Sequence, residues 1–406
     1  MLSAKPHRVL SWLLPVVAAA CGAAVDPDPS PTGSPEVPPG VPPGADAATR
    51  DAGPTPPVAD ATTKDADAAP PEGGPDAAPG DAGPADASPD APVGDAGADA
   101  SDAGPPPYVT GQTYFDTSGN RWLEYVAGDL PIVLSAPHDG PLEPASVVDR
   151  AANPACPPDI TTARDTNAAT LGRKMQAAFV ARYGGRPHLV VANISRKKVD
   201  LNRDANGVDE AACGEPRMRQ VWAEFHGFIE AAVAAEVARF GHVLYIDVHA
   251  HGHTKERLEL GYLFSGTALR SFATNPAFTS ATVSSLANLP RHRGGLVSTR
   301  ELLTGAGAFG TLSSERGVPS VPSRVDPAPL VGDPYFNGGY NTERYTGASY
   351  PTTFGWQIEA NPAARSTDAA RTATGTALAD SVIAFLFEHH GTFAGASTWS
   401  VPPPLP

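Results

Sequence analysis

Positive charge, cysteine and long apolar runs are all scarce in this chain of 406 residues. Its 29 Lys and Arg stand against 44 Asp and Glu, giving a net charge of −15 and no basic surface of the kind a nucleic acid requires. Only three cysteines occur, Cys21, Cys156 and Cys213, too few for a disulfide-framework fold. A helix that crosses a membrane needs about 20 apolar residues. The apolar stretch "VLSWLLPVVAAA" near the start is too short to be a typical span.

What stands there instead is an export signal over residues 1–21: Lys5 and Arg8, then the apolar stretch, then small residues leading to Cys21. The run "AAAC" is similar to a bacterial lipobox, which makes Cys21 the expected lipidation site and the cell envelope the expected location, anchored to a membrane. Ordinary secretory cleavage after an A-x-A-like site is the alternative, and both readings take the chain out of the cytoplasm. Export places Cys156 and Cys213 where a disulfide between them would persist.

From Gly22 to Pro107 the chain is almost entirely Ala, Asp, Pro and Gly. With almost no large side chain to bury, nothing offsets the entropy of ordering it, so residues 22–107 are expected to form a disordered tether. Proline stiffens such a segment and like charges extend it. Sixteen acids and two bases lie in it, so the tether holds nearly all of the −15, and residues 108–406 carry about −3.

Those remaining residues alternate strand-like and helix-like segments. "DLPIVLSAPHDG" is an apolar run ending in a turn, and "ARDTNAATLGRKMQAAFVARYGG" has helical spacing closed by a glycine pair. "HLVVANIS" reads as a strand, "PRMRQVWAEFHGFIEAAVAAEVARFG" as a long amphipathic helix, and "HVLYIDVHA" as a strand. "FGWQIEAN" and the closing helix "ARTATGTALADSVIAFLFEHHG" follow. This order predicts one domain over 108–406, with a mostly parallel sheet and helices on both faces. Residues 275–304 and 318–332 read as loop-rich.

Sheets of that kind hold their sites beyond the carboxyl ends of the strands. Four such ends carry polar chemistry: His138 and Asp139; Arg196, Asp200, Asn202 and Arg203; Asp247, His249, His251 and His253; Glu359 and Asn361. Asp165 stands near the start of the helix that follows His138. Each has an ordinary reading. Asp165 suits a helix cap, His138 a turn, His251 and His253 a metal-affine surface loop, and Arg196 and Arg203 a solvated charge run with Asp200 and Asp204. Glu359 is harder to dismiss, because a carboxylate ending a buried strand needs a partner or a task.

Their convergence on one sheet edge favours chemistry. A catalytic zinc takes about three N or O ligands and keeps one position open. His138, Asp165 and His249 supply that set for one Zn²⁺, Glu359 a general base, and Asp247 a carboxylate to orient His249. Arg196, Arg203 and Asn202 suit a substrate carboxylate, which guanidinium binds with two hydrogen bonds.

The stretches "PHDG", Asp165-Thr166, "SRKKVDLNRD", "IDVHAHG", "FNGGYNTERYTG" and "QIEAN" together resemble the N-formylglutamate amidohydrolases, in that family's order across most of Pro131 to Pro362. The resemblance implies a three-layer α/β/α domain of the zinc exopeptidase (phosphorylase/hydrolase-like) type and hydrolysis of a C–N amide bond in an N-acyl amino acid or small peptide. It assigns the metal to His138, Asp165 and His249, the base to Glu359, and the substrate pocket to Arg196 and Arg203. Two other readings stay open: a cell-wall amidase or carboxypeptidase-like hydrolase, and an inactive binding module on a stalk.

Overall fold

A computed structural model describes residues 108–206, 208–275, 285–289 and 297–390. The signal over 1–21 with Cys21, the tether over 22–107 and the end of the predicted domain from 391 lie outside the described residues.

In chain order the elements are β1 (Thr113–Phe115), β2 (Leu123–Val126), β3 (Ile132–Ala136), α1 (Ala168–Tyr183), β4 (His188–Ala192), α2 (Pro216–Phe240), β5 (Val243–Ala250) and β6 (Leu258–Gly261). They continue with α3 (Gly266–Thr274), α4 (Thr299–Thr304), α5 (Phe309–Glu315), β7 (Ser320–Val321), α6 (Tyr340–Thr346), β8 (Thr353–Ala360), α7 (Pro362–Arg365) and α8 (Asp368–His389). The eight strands form one sheet in the order β1-β2-β4-β3-β5-β8-β6-β7. Its centre, β4-β3-β5-β8, is parallel throughout. β2 runs antiparallel to β4 on one side, and β6 antiparallel to β8 on the other.

The crossovers explain the layering. β3 to β4 steps one way across the sheet and β4 to β5 steps back past β3, so right-handed connections set α1 and α2 on opposite faces. One core packs α1 and α8 on Ile132, Leu134, Leu244, Ile246, Trp356 and Ile358. The other packs α2 and Tyr345 of α6 on Val133, Val190, Val243 and Tyr245. Helices thus cover both faces of a mostly parallel sheet, as the segment order predicts, and the result is the three-layer α/β/α arrangement that the resemblance implies.

Two features differ from the sequence reading. The antiparallel margins were not anticipated: β1, β2, β6 and β7 are two to four residues long, too short for period-2 alternation to register. Within the stretches read as loop-rich, α4 occupies Thr299–Thr304 and is capped by the Ser298 side chain. In addition, Cys156 and Cys213 are joined as a disulfide with their Cα atoms 4.9 Å apart, tying the segment before Asp165 to the segment after Arg203.

Candidate metal centre

The site forms where β3, β4, β5 and β8 end together. Two residues past β3, the backbone turns at "PHDG" and runs against the end of β4. A Cβ on Gly140 would lie 2.0 Å from the Ile194 carbonyl oxygen, so only glycine fits that approach. The turn is then tied forward, because the Asp165 amide donates to the His138 carbonyl at 3.1 Å. On β5, Asp247 and His249 share the α2 side with Tyr245, and Gln357 and Glu359 occupy that side of β8.

Three side chains meet here. His138 Nδ1 lies 3.2 Å from His249 Nδ1, His249 Nδ1 lies 2.9 Å from Asp165 Oδ2, and His138 Nδ1 lies 3.6 Å from the same oxygen. Both imidazoles thus aim Nδ1 inward, and each has a carboxylate at its outer nitrogen. Asp200 Oδ1 is 2.7 Å from His138 Nε2, and Asp247 Oδ2 is 2.8 Å from His249 Nε2. Outer carboxylates of this kind fix the ring orientation of metal-ligating histidines. Two nitrogens and one carboxylate oxygen, all within 4.8 Å of one another, are a donor set that fits a divalent ion such as Zn²⁺.

The electrostatics agree with that geometry. Burial alone would raise the Asp165 carboxyl, but hydrogen bonds and charge from His138 and His249 hold it well below the carboxylate range. Burial would lower His249; the charge of Asp247, hydrogen bonds to Asp165 and Asp247, and the charge of Glu359 lift it well above the ordinary imidazole value. Glu359 is pushed up to about 8, chiefly by burial, with Asp165 and Glu259 adding repulsion against the pull of His249 and the Gln357 hydrogen bond. It sits directly across from His249 in the β5–β8 register, and Gln357 Nε2 donates to its Oε1 at 2.7 Å.

The arginines diverge. Arg196 is buried, and its Nε donates to Asp200 at 2.8 Å. Its terminal nitrogens make no hydrogen bond among the described residues, while its charge faces Asp165 and Glu359. Arg203 is part-exposed, 3.3 Å from Glu210 and bonded to the Asn202 carbonyl. Asn202 bridges the site to the first turn of α6: its Nδ2 is 3.4 Å from His249 Nε2, and its Oδ1 accepts the Asn341 amide at 2.7 Å.

Other features departed from the ordinary readings. Asp165 does not cap α1. That neighbourhood belongs to Asp139, which accepts the amides of Asn167 and Ala169 at 3.1 Å each and binds Arg164. Asp200 is not part of a solvated charge run, being 1% exposed beneath His138. Two arginines drew no notice in the sequence. Arg150 donates to the carbonyls of Glu210, Thr161 and Arg196, and Arg365 to those of Ala360, Thr166 and His251. Bonds to backbone leave no residue-type pattern to read. Gln357 did leave one, since it precedes Glu359 by two and so shares its strand side.

No family model and no curated protein matches the chain. Among solved structures it is similar to an N-formylglutamate amidohydrolase from Ralstonia eutropha JMP134, at 15% identity and a TM-score of 0.38, over 64% of this chain and 94% of that one. It is also similar to a gene product of Agrobacterium tumefaciens, at 14% identity and a TM-score of 0.36, over 66% of this chain and 97% of the other.

Proposed function

We propose that this chain is a metal-dependent amidohydrolase acting on N-acyl amino acids or small peptide-like amides. The observation that carries the reading is the convergence of His138 Nδ1, His249 Nδ1 and Asp165 Oδ2 beside Glu359, which no core-packing role requires. The motif resemblance of "PHDG", "DLNRD", "IDVHAHG" and "QIEAN" to N-formylglutamate amidohydrolases supports the same reaction class.

A divalent ion such as Zn²⁺, bound by those three atoms, would supply Lewis-acid polarisation of the amide carbonyl, acidify a water, and draw the Glu359 pKa down toward neutrality. Glu359 takes a proton from the attacking water and returns it to the leaving amine. Its raised proton affinity suits that work better than an ordinary carboxylate would, because proton transfer is most efficient near the operating pH. Gln357 holds the carboxylate in place. Arg196 offers its terminal nitrogens to a substrate carboxylate, while its Nε is anchored on Asp200.

The export signal expected over 1–21 favours a second reading, hydrolysis of a cell-wall amide by the same machinery. One assay separates the two: a panel of N-formyl and N-acetyl amino acids beside purified cell wall, before and after chelation. Hydrolysis of the small amides, lost on chelation and restored by Zn²⁺, is the expected result. Activity on cell wall alone would select the second reading, and activity that survives complete metal removal would overturn both.

A further inference from the structure

A second set of donor atoms gathers on the far side of Glu359. β5 ends at Ala250, and the chain then turns through His251 and His253 and re-enters the sheet as β6. There Glu259 is fully buried and stands directly across from Glu359 in the β6–β8 register. His249, Glu359 and Glu259 therefore form one row over three adjacent strands.

We propose that His251, His253 and Glu259 form a second divalent-cation site, separate from the first. Their donor atoms all lie within 4.8 Å of one another. His253 Nδ1 is 2.8 Å from Glu259 Oε1, and His251 Nδ1 is the atom toward which the His253 amide points, at 3.1 Å. The outer positions are already engaged as a ligand set demands. His251 Nε2 donates to the Arg257 carbonyl at 2.9 Å, leaving Nδ1 with its lone pair, and Glu259 Oε2 accepts the Phe336 amide at 2.8 Å. The His253 ring is stacked on Phe336, with centroids 4.9 Å apart and planes 14° apart. His138, His249 and Asp165 have a similar layout, with ligand atoms within 4.8 Å of one another and rings steered from behind. On binding, His253 turns to its Nε2–H tautomer, the ion takes the place of the proton between its Nδ1 and Glu259, and the ion displaces the His253 amide hydrogen bond from His251 Nδ1.

Charge favours occupancy. Glu259 and Glu359 stand directly opposite on neighbouring strands, where two ionised carboxylates together would destabilise the sheet. The cations nearest in sequence are turned elsewhere, Lys255 to Asp333 and Arg257 to Asp326. Two imidazoles with one carboxylate suit Zn²⁺ and similar borderline ions. Strands lie about 4.8 Å apart, so Glu259 stands about 10 Å from His249 across the row. Two ions that share one reacting oxygen lie only about 3.5–4 Å apart. The second ion is thus a neighbour that neutralises Glu259 and pins the 251–259 turn to Phe336, and it does not depend on the proposed activity.

The test counts ions in the full-length protein, stripped with chelator, reloaded with Zn²⁺ and measured by atomic emission. Two Zn²⁺ per chain are expected, falling to one in His253→Gln, to one in His249→Ala, and to none in the double variant. His253 is the part-exposed member, so its replacement spares the core, and retention of an ion by His249→Ala reads the second site without altering it. A wild-type count of one that vanishes in His249→Ala would overturn the proposal, as would an unchanged count in His253→Gln. A single ion that survives His249→Ala but not His253→Gln would uphold this site while removing the first.

Discussion

The two faces of the central sheet are written in alternate residues of the same strands, and their contents diverge. On β5, Leu244, Ile246 and Val248 enter the α1–α8 core, whereas Val243 and Tyr245 on the α2 side give way to Asp247 and His249. On β8, Phe354, Trp356, Ile358 and Ala360 are apolar to the end, while the other side runs Gly355, Gln357, Glu359. A strand buried on both faces normally reads as a continuous apolar run. Here one face keeps that rule and secures the fold, while the other breaks it only near the carboxyl ends. The break marks the site: polar groups are tolerated there because each is answered, Asp247 by Ser135 and His249, Glu359 by Gln357.

The sharpest way to break this comparison uses one strand. Glu359→Gln keeps shape and an acceptor but cannot take a proton, so turnover should fall about 10²–10⁴-fold. Bound metal and thermal midpoint should stay near wild type. Trp356→Ala, three residues earlier on the opposite side, removes a ring packed on Phe309 at 4.5 Å and Phe385 at 5.1 Å. It should cost about 3–5 kcal/mol of stability, with turnover per folded molecule preserved. If Glu359→Gln melts the protein and leaves turnover intact, the carboxylate is structural and the division of faces fails. Chemical denaturation and steady-state kinetics on both variants decide.

The sequence carried more of the first face than of the second. Apolar runs and helical spacing were enough for β3, α1, β4, α2, β5, β8 and α8, since each buries a long regular pattern. Within the site, His138, His249 and Glu359 were legible as strand-end polar residues and Asp165 as an acid near a helix start, and the structure brings them together. Their supports were less visible. Asp200 looked like half of a surface ion pair until the fold buried it under His138, and Glu259 lay on a four-residue strand whose pairing with β8 no local pattern announces. Register is a tertiary fact, and the second cluster exists only through it.

Asp200 sharpens the comparison from beneath the site. Arg196, with Arg150 at 3.6 Å, surrounds one of its oxygens, and His138 Nε2 takes the other. Burial would raise this carboxyl, yet Arg196, His138 and Arg203 hold it well below the ordinary range. Asp200→Asn removes the charge that steers His138 but none of the inward donor atoms. Zn²⁺ affinity should weaken about 10–100-fold, the usual cost of losing such a support. Competition with a chromophoric chelator measures this directly. Unchanged affinity would show that His138 is oriented by packing alone.

The smallest expected effect tests whether a buried histidine on the same face needs an acid beside it. His226 of α2 is 2% exposed and lies 2.6 Å from the Tyr345 hydroxyl. Burial, with Arg344 adding repulsion, holds its pKa well below the ordinary imidazole value. His249, equally buried, is driven the other way by Asp247 and Asp165. The sign follows from proton counting. Below about pH 6.5 the unfolded chain protonates His226 and the folded protein does not, so unfolding takes up a proton. The stability His226 confers is therefore whole above that pH and declines beneath it, by about 1.4 kcal/mol per pH unit at most. His226→Gln cannot titrate, and its stability should fall less steeply than wild type between pH 6.5 and 4.5. Taking the difference between the two proteins in chelator cancels every other titrating group. Parallel stability curves would mean that His226 binds its proton in the folded state as readily as in the unfolded chain.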